Sequence, residues 1–417
     1  MRRALLPALL LVATAWAQPA PTRARSVRSA VAFNDQIVRI LQRHCQTCHR
    51  PGDIAPFPLL NYQDAVSHAR QIKTETRARR MPPWKPVPGH GEFLDENRLT
   101  QSEIDLIAGW ADSGTPEGNP RDLPQPIQFA DQWALGTPDL VLEPDTDFTV
   151  PAEGHDVYRC FSVPTRLFQS RWVAGFDVRP GNRSAVHHVL AYPDPLGLSV
   201  LKRDGAGPGY SCFGGPGVPT DSVLGGWAPG MRPRMFPDDT GIRLTPFGRV
   251  VIQVHYHATG SPQTDRTRIG VYFAPRPASH EIIYVPLFQP RLAIPPGAER
   301  HEVTASLSIP RLVDGAKAIF IVPHMHLLGR EIRVDATYPD GARRPLIYID
   351  DWDFDWQAFY FYREAVPLPA GTRLDLKAIY DNSAGNPRNP FNPPREVGWG
   401  EQSTDEMCLV IIGMILD

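Results

Sequence analysis

The chain has little cysteine, 5 in 417 residues, and only 7 methionines. So few cysteines exclude a disulfide-dense scaffold. Beyond the first twenty residues there is no apolar run of the roughly 20 residues that a helical span needs, which excludes a helical membrane protein. Neither sign of charge dominates. Lys plus Arg number 43 and Asp plus Glu 45, a formal net charge of −2, and the electrostatic footprint of a nucleic-acid binder is missing. There is no internal repeat at solenoid or propeller spacing and no low-complexity segment. The Gly-rich GAGPGYSCFGGPG at 205–217 lacks a strand before it and a helix after it, so it is a loop and not a phosphate cradle. Proline is what abounds. Its 45 positions are about 11% of the chain, roughly twice the usual share, and favour loop-rich β architecture.

Residues 1–17 run from a basic start through an apolar core to Ala15-Trp16-Ala17, a small-x-small cleavage site. This predicts a signal peptide cleaved near Ala17 and a periplasmic or secreted protein. The alternative, a membrane anchor, meets a run that is too short and contains Pro7.

The segment 31–117 carries helical periodicity. Ile37, Ile40, Leu41 and His44 recur at helical spacing, Asn61 is placed to cap a second helix, and Thr100 with Glu103 forms a capping box ahead of a third that stops at Gly114. Directly after the first helix stands CQTCH. In an exported chain, Cys45 and Cys48 suit thioether bonds to haem vinyl groups, and His49 suits the iron. A dithiol redox pair does not require the histidine, and a zinc half-site has no second CxxC to complete it. The order of helix, CxxCH, loop and last helix resembles a small class I cytochrome c domain. Such domains usually take a sixth ligand from a methionine before the last helix. RRMPPWKP offers Met81 there, with His68, His90 or water as alternatives.

Residues 118–135 are proline-rich and unperiodic, a linker. After them come short β-branched and aromatic runs bounded by Gly, Pro and Asp, predicting two all-β sandwiches at 136–285 and 286–417. Six of the 13 histidines fall in pairs here: His187 with His188 in SAVHHVLAY, His255 with His257 in VHYHATG, and His324 with His326 in IVPHMHLLGRE. Imidazole suits zinc, copper or iron, and a nearby thioether selects copper, particularly Cu(I); Met407 in STDEMCLVII supplies one. The alternative is that these are core and interface histidines. Because neighbouring residues on a regular strand point to opposite faces, a bulge or a strand end must turn one of His187 and His188 if both are to serve one site.

In their order and spacing these motifs resemble the type II copper, ascorbate-dependent monooxygenases, the family of the peptidylglycine-hydroxylating and dopamine β-monooxygenases. The similarity runs over about 140–417. It implies jelly-roll-like sandwiches and two copper ions, one on His187, His188 and His255 that stores an electron, the other on His324, His326 and Met407 where O2 is activated. His257 is then a supporting residue. The implied reaction is C–H hydroxylation, with electrons from an external redox protein or an ascorbate-like reductant and, on the evidence of the fusion, through haem c. The chain departs from the family's peptide-binding pattern, with Val322 before the histidine pair and Leu409, Val410 and Ile411 after the Met-Cys. Of the remaining cysteines, Cys160 and Cys212 are the pair considered for a disulfide. Two other readings stay open: an exported haem and copper protein that only transfers electrons or binds copper, and a haem docking module on structural sandwiches.

Overall fold

A computed structural model describes residues 31–129, 133–212, 214–220, 222–229 and 231–417. The expected signal peptide lies outside them. A widened turn, Phe33–Ile37, leads into α1 (Val38–His44), followed by α2 (Tyr62–Arg77) and α3 (Gln101–Asp112). Phe33, Ile37, Leu41, Ile107 and Trp110 close into one small core. The Asn61 side chain accepts from the Asp64 N–H, and Thr100 and Glu103 form the expected reciprocal cap.

The segment between α2 and α3 does not stay with the helices. Val87 donates its N–H to the Tyr348 carbonyl at 2.7 Å and Leu94 to that of Phe361 at 2.8 Å. Phe93 is buried, not in the helical core but among Tyr360, Tyr362 and Leu346 of the second sandwich.

The chain is otherwise mostly β. A six-stranded and a five-stranded sheet share one apolar cluster, and two four-stranded sheets share another, giving two sandwiches. The strand Ile283–Phe288, astride the expected seam, pairs along its whole length with Leu409–Ile415. In the five-stranded sheet the central strand Arg249–Tyr256 lies between Val157–Pro164 and Val186–Asp194. Strand alternation divides its residues: Val250, Ile252, Val254 and Tyr256 enter the sandwich core, and Val251, Gln253 and His255 face the other way. Leu409–Ile415 divides similarly, Val410 and Ile412 going into the second core while Leu409 and Ile411 face outward. The outward faces of these two sheets flank one cavity, which His188, Leu190 and Tyr192 line from one side and Leu409 and Ile411 from the other. The Cys160–Cys212 disulfide, with Cα atoms 5.7 Å apart, pins the edge of the five-stranded sheet. No helix among the described residues is long and apolar enough to cross a membrane.

Candidate metal centres

His188 and His255 are direct cross-strand partners, and the next pair in register is Val186 with Tyr256. His187 is the extra residue of a β-bulge, so two sequence neighbours reach the same face. His187 Nδ1 lies 3.2 Å from His188 Nδ1, which lies 3.3 Å from His255 Nδ1. Nitrogens arranged tetrahedrally about a metal at about 2.0 Å stand about 3.3 Å apart, so the spacing fits a shared ion. Burial holds these rings neutral: it pushes His187 down to about 2, and takes His188 well below and His255 below the ordinary histidine value.

Three side chains that sequence reasoning missed support this trio. Asp156 sits 3.2 Å from His255 Nε2 and 2.5 Å from His257 Nδ1, and it accepts from the Ser403 hydroxyl at 2.5 Å. Burial raises its pKa, but hydrogen bonds with His255, His257 and Ser403 outweigh that and hold the carboxyl well below the usual range. Tyr158 stacks on His255 at 4.2 Å and donates to the Glu401 carbonyl at 2.9 Å. Phe354 stacks on His187 at 4.8 Å and meets the His326 ring edge-on at 5.7 Å. Asp156 lies in the loop EGHDVY, where nothing in the local pattern marks it. His257 is placed as a supporting residue, its ring 4.5 Å from that of His187.

His324 ends the strand Lys317–His324 and His326 follows two positions on. Their Nε2 atoms face each other at 3.2 Å. On the far sides, His324 Nδ1 lies 2.5 Å from Gln357 Oε1 and His326 Nδ1 lies 3.1 Å from the Asp405 carbonyl. Both acceptors draw the ring proton to Nδ1 and leave the facing Nε2 lone pairs free, the tautomer a metal ligand requires. Burial pushes His324 down to about 4 and His326 to about 3. Glu406, fully buried, accepts the backbone N–H groups of His326 (2.8 Å), Leu328 (2.6 Å) and Met407 (3.1 Å), tying the histidine turn to the methionine. Burial pushes its carboxyl up to about 8 against the lowering by those N–H groups.

His188, His324, His326 and Met407 all line one cavity of about 430 Å³ between the two sandwiches. The two histidine sets, whose nearest members His255 and His324 stand 69 positions apart in sequence, thus address a common space, the first through His188.

The CQTCH loop follows α1. Cys45 and Cys48 are not bonded to each other, and burial keeps both as thiols, pushing Cys45 up to about 12. His49 Nδ1 lies 3.0 Å from the Phe57 carbonyl, leaving Nε2 as the free base. Met81 is 42% exposed. Of the alternatives, His90 turns toward Tyr348 of the second sandwich, while His68 stacks on Phe57, which also packs on His49. The loop rests on the first sandwich: Arg183 donates to Asp53 at 3.0 Å, Arg232 donates to the Thr47 hydroxyl at 3.2 Å, and the Arg183 guanidinium lies 5.9 Å from the Trp227 ring. Trp227 in turn lines the cavity.

No protein-family model matches the chain. Among curated proteins it is 26% identical to DBH-like monooxygenase protein 1 of Homo sapiens over 259 residues, 56% of this chain and 39% of that protein. It is 25% identical to DBH-like monooxygenase protein 2 of Mus musculus over 313 residues, 69% of this chain and 48% of that protein. The chain thus spans less than half the length of the curated relatives it matches. These distant likenesses support the copper monooxygenase resemblance read from the motifs. Among solved structures, the major capsid protein of bacteriophage PM2 covers 66% of this chain and 96% of its own with 11% identity and a TM-score of 0.28, too low to bear on fold or function.

Proposed function

We propose that the chain is an exported copper-dependent monooxygenase that hydroxylates a C–H bond with O2, drawing electrons through a covalently attached haem c. The observation that carries this reading is a clustered three-imidazole set that reaches, through His188, the same cavity that the His-His-Met set lines. His187, His188 and His255 would hold one copper, and His324, His326 and Met407 the other. Imidazole suits either copper oxidation state, and the thioether favours Cu(I) at the second position. Bound copper would supply one-electron redox chemistry and O2 binding; Cys45, Cys48 and His49, together with Met81 or His68, would hold the haem, which would supply a one-electron relay. Substrate, O2, two electrons and two protons then give an alcohol and water.

The residues themselves do the rest. Gln357 and the Asp405 carbonyl hold the His324 and His326 tautomers. Glu406 sets Met407 relative to both. Val322, Leu409 and Ile411 give the cavity an apolar wall beside the His-His-Met set. Arg183 and Arg232 seat the CQTCH loop against the sheet that bears His188.

The test is metal content with single-turnover chemistry. Two coppers per chain are expected, with His187→Ala and His324→Ala each losing mainly one. Anaerobic reduction followed by O2 and substrate should consume O2 in step with alcohol formation in the wild type, and His324→Ala should form no alcohol. Alcohol at the wild-type rate from His324→Ala would refute the site, and copper-dependent redox cycling without product would leave an electron-transfer protein.

A further inference from the structure

The cavity shared by the two histidine sets is closed by an unusual balance of groups. Its walls are largely aromatic and aliphatic, including Trp227, Trp399, Phe359, Leu409 and Ile411. At about 430 Å³ it falls in the small-molecule range of about 300–1,000 Å³.

Its amide and phenol side chains are engaged by the protein. Gln253 donates to the Cys212 carbonyl at 2.8 Å and accepts from the Tyr192 hydroxyl at 3.4 Å. Gln357 is spent on His324 and on the Phe354 carbonyl, and Tyr158 on the Glu401 carbonyl. Apart from the histidines assigned to metal, the only ionisable lining group of acid or base character stronger than tyrosine among the described residues is Glu401. No lysine or arginine among them reaches the cavity.

We propose that this cavity is the substrate site and that it takes neutral, predominantly apolar small molecules, rejecting carboxylates. Buried amides or charges of a ligand would find engaged partners here, and leaving them unpaired is costly. A carboxylate would in addition face Glu401, and no lysine or arginine among the described residues lines the cavity to offset it. The assignment of the cavity to substrate rests on the monooxygenase reading; the chemical selectivity does not.

Binding tests it directly on the metal-free full chain, where no metal ion offers a carboxylate a ligand position, using 2-phenylethanol and phenylacetate, which share a skeleton and differ in charge. Titration calorimetry, with fluorescence of Trp227 and Trp399 as a second readout, should show 2-phenylethanol bound about tenfold or more tightly than phenylacetate. Glu401→Gln should narrow that ratio by improving phenylacetate. Ile411→Phe, which fills the cavity, should weaken 2-phenylethanol, and Leu409→Phe provides the same check should the first fail to fold. Phenylacetate binding as tightly as 2-phenylethanol, or 2-phenylethanol binding undiminished in the filled variants, would overturn the proposal. If 2-phenylethanol binds as stated yet reduced, copper-loaded protein and O2 convert no neutral aromatic tested, the oxygenase reading falls while the binding class stands.

Discussion

An imidazole is a ligand only while one nitrogen keeps its lone pair, and at each set the surroundings decide which nitrogen that is. Gln357 and the Asp405 carbonyl do so for His324 and His326, and Asp156 does so for His255. The same burial that keeps the rings neutral makes the fold sensitive to acid. His324, His326 and His187 are held at about 4, about 3 and about 2 when folded, against about 6.5 in an unfolded chain. Below about 6.5 the unfolded chain takes up protons that the folded one refuses, so stability falls as pH drops from there toward the folded values. The copper-free protein should therefore show a melting temperature that declines steadily between about pH 7 and pH 4, with a shallower decline in His324→Gln. A melting temperature flat across that range would contradict the buried, neutral assignment.

Among the elements, the bulge at His187 matters most, since it turns an adjacent pair that a regular strand would split between core and surface. The CQTCH loop is the second. It is short and lies at a helix end, yet Asp53 and Thr47 anchor it to Arg183 and Arg232 of the first sandwich. If this contact seats the loop, Asp53→Arg should raise hydrogen–deuterium exchange across residues 46–55 severalfold, Arg183→Asp should do the same, and the double reversal should recover part of the protection. The pair is part-buried and holds a loop rather than a core, so the effect should fall on local exchange more than on the global melting temperature. Equal exchange in all four proteins would mean that the loop is held by other contacts.

At the scale of the whole molecule, three units are fastened by borrowed parts. The helical unit lends Phe93 to the core of the second sandwich, where it packs on Tyr360 and Tyr362. The two sandwiches are joined by Asp156 with Ser403 and by Tyr158 with the Glu401 carbonyl, both beside the cavity. Removing a buried phenyl ring typically costs about 3–5 kcal/mol. Phe93→Ala should accordingly lower the unfolding temperature seen by tryptophan fluorescence of the sandwiches, while the helical core around Trp110, which does not contain Phe93, keeps its own hydrogen-exchange protection. Loss of protection in both units together would show that the helices cannot stand without the strap.

Much of this was legible in one dimension because its causes are local. Helical spacing and the Thr100–Glu103 cap predicted α3, and alternation about β-branched runs predicted strands. The order of paired histidines and a late methionine marked a metal chemistry before any contact was known. CQTCH carries the proposed haem attachment by residue type and spacing alone. Other features depend on contacts between distant residues. Asp156 has no local signature and acquires its role only where two strands and the 401–407 loop meet. Residues 84–94 read as a loop of the helical unit because nothing in them says which hydrophobic face they will cover; that was decided by the open edge of the second sandwich. The sequence by itself determined which groups could bind metal and on what kind of element they sit, since residue type and periodicity are properties of the chain. Only the tertiary structure decided that both sets reach one apolar cavity, because that depends on the outer faces of two sheets flanking it, a long-range packing outcome that periodicity cannot encode.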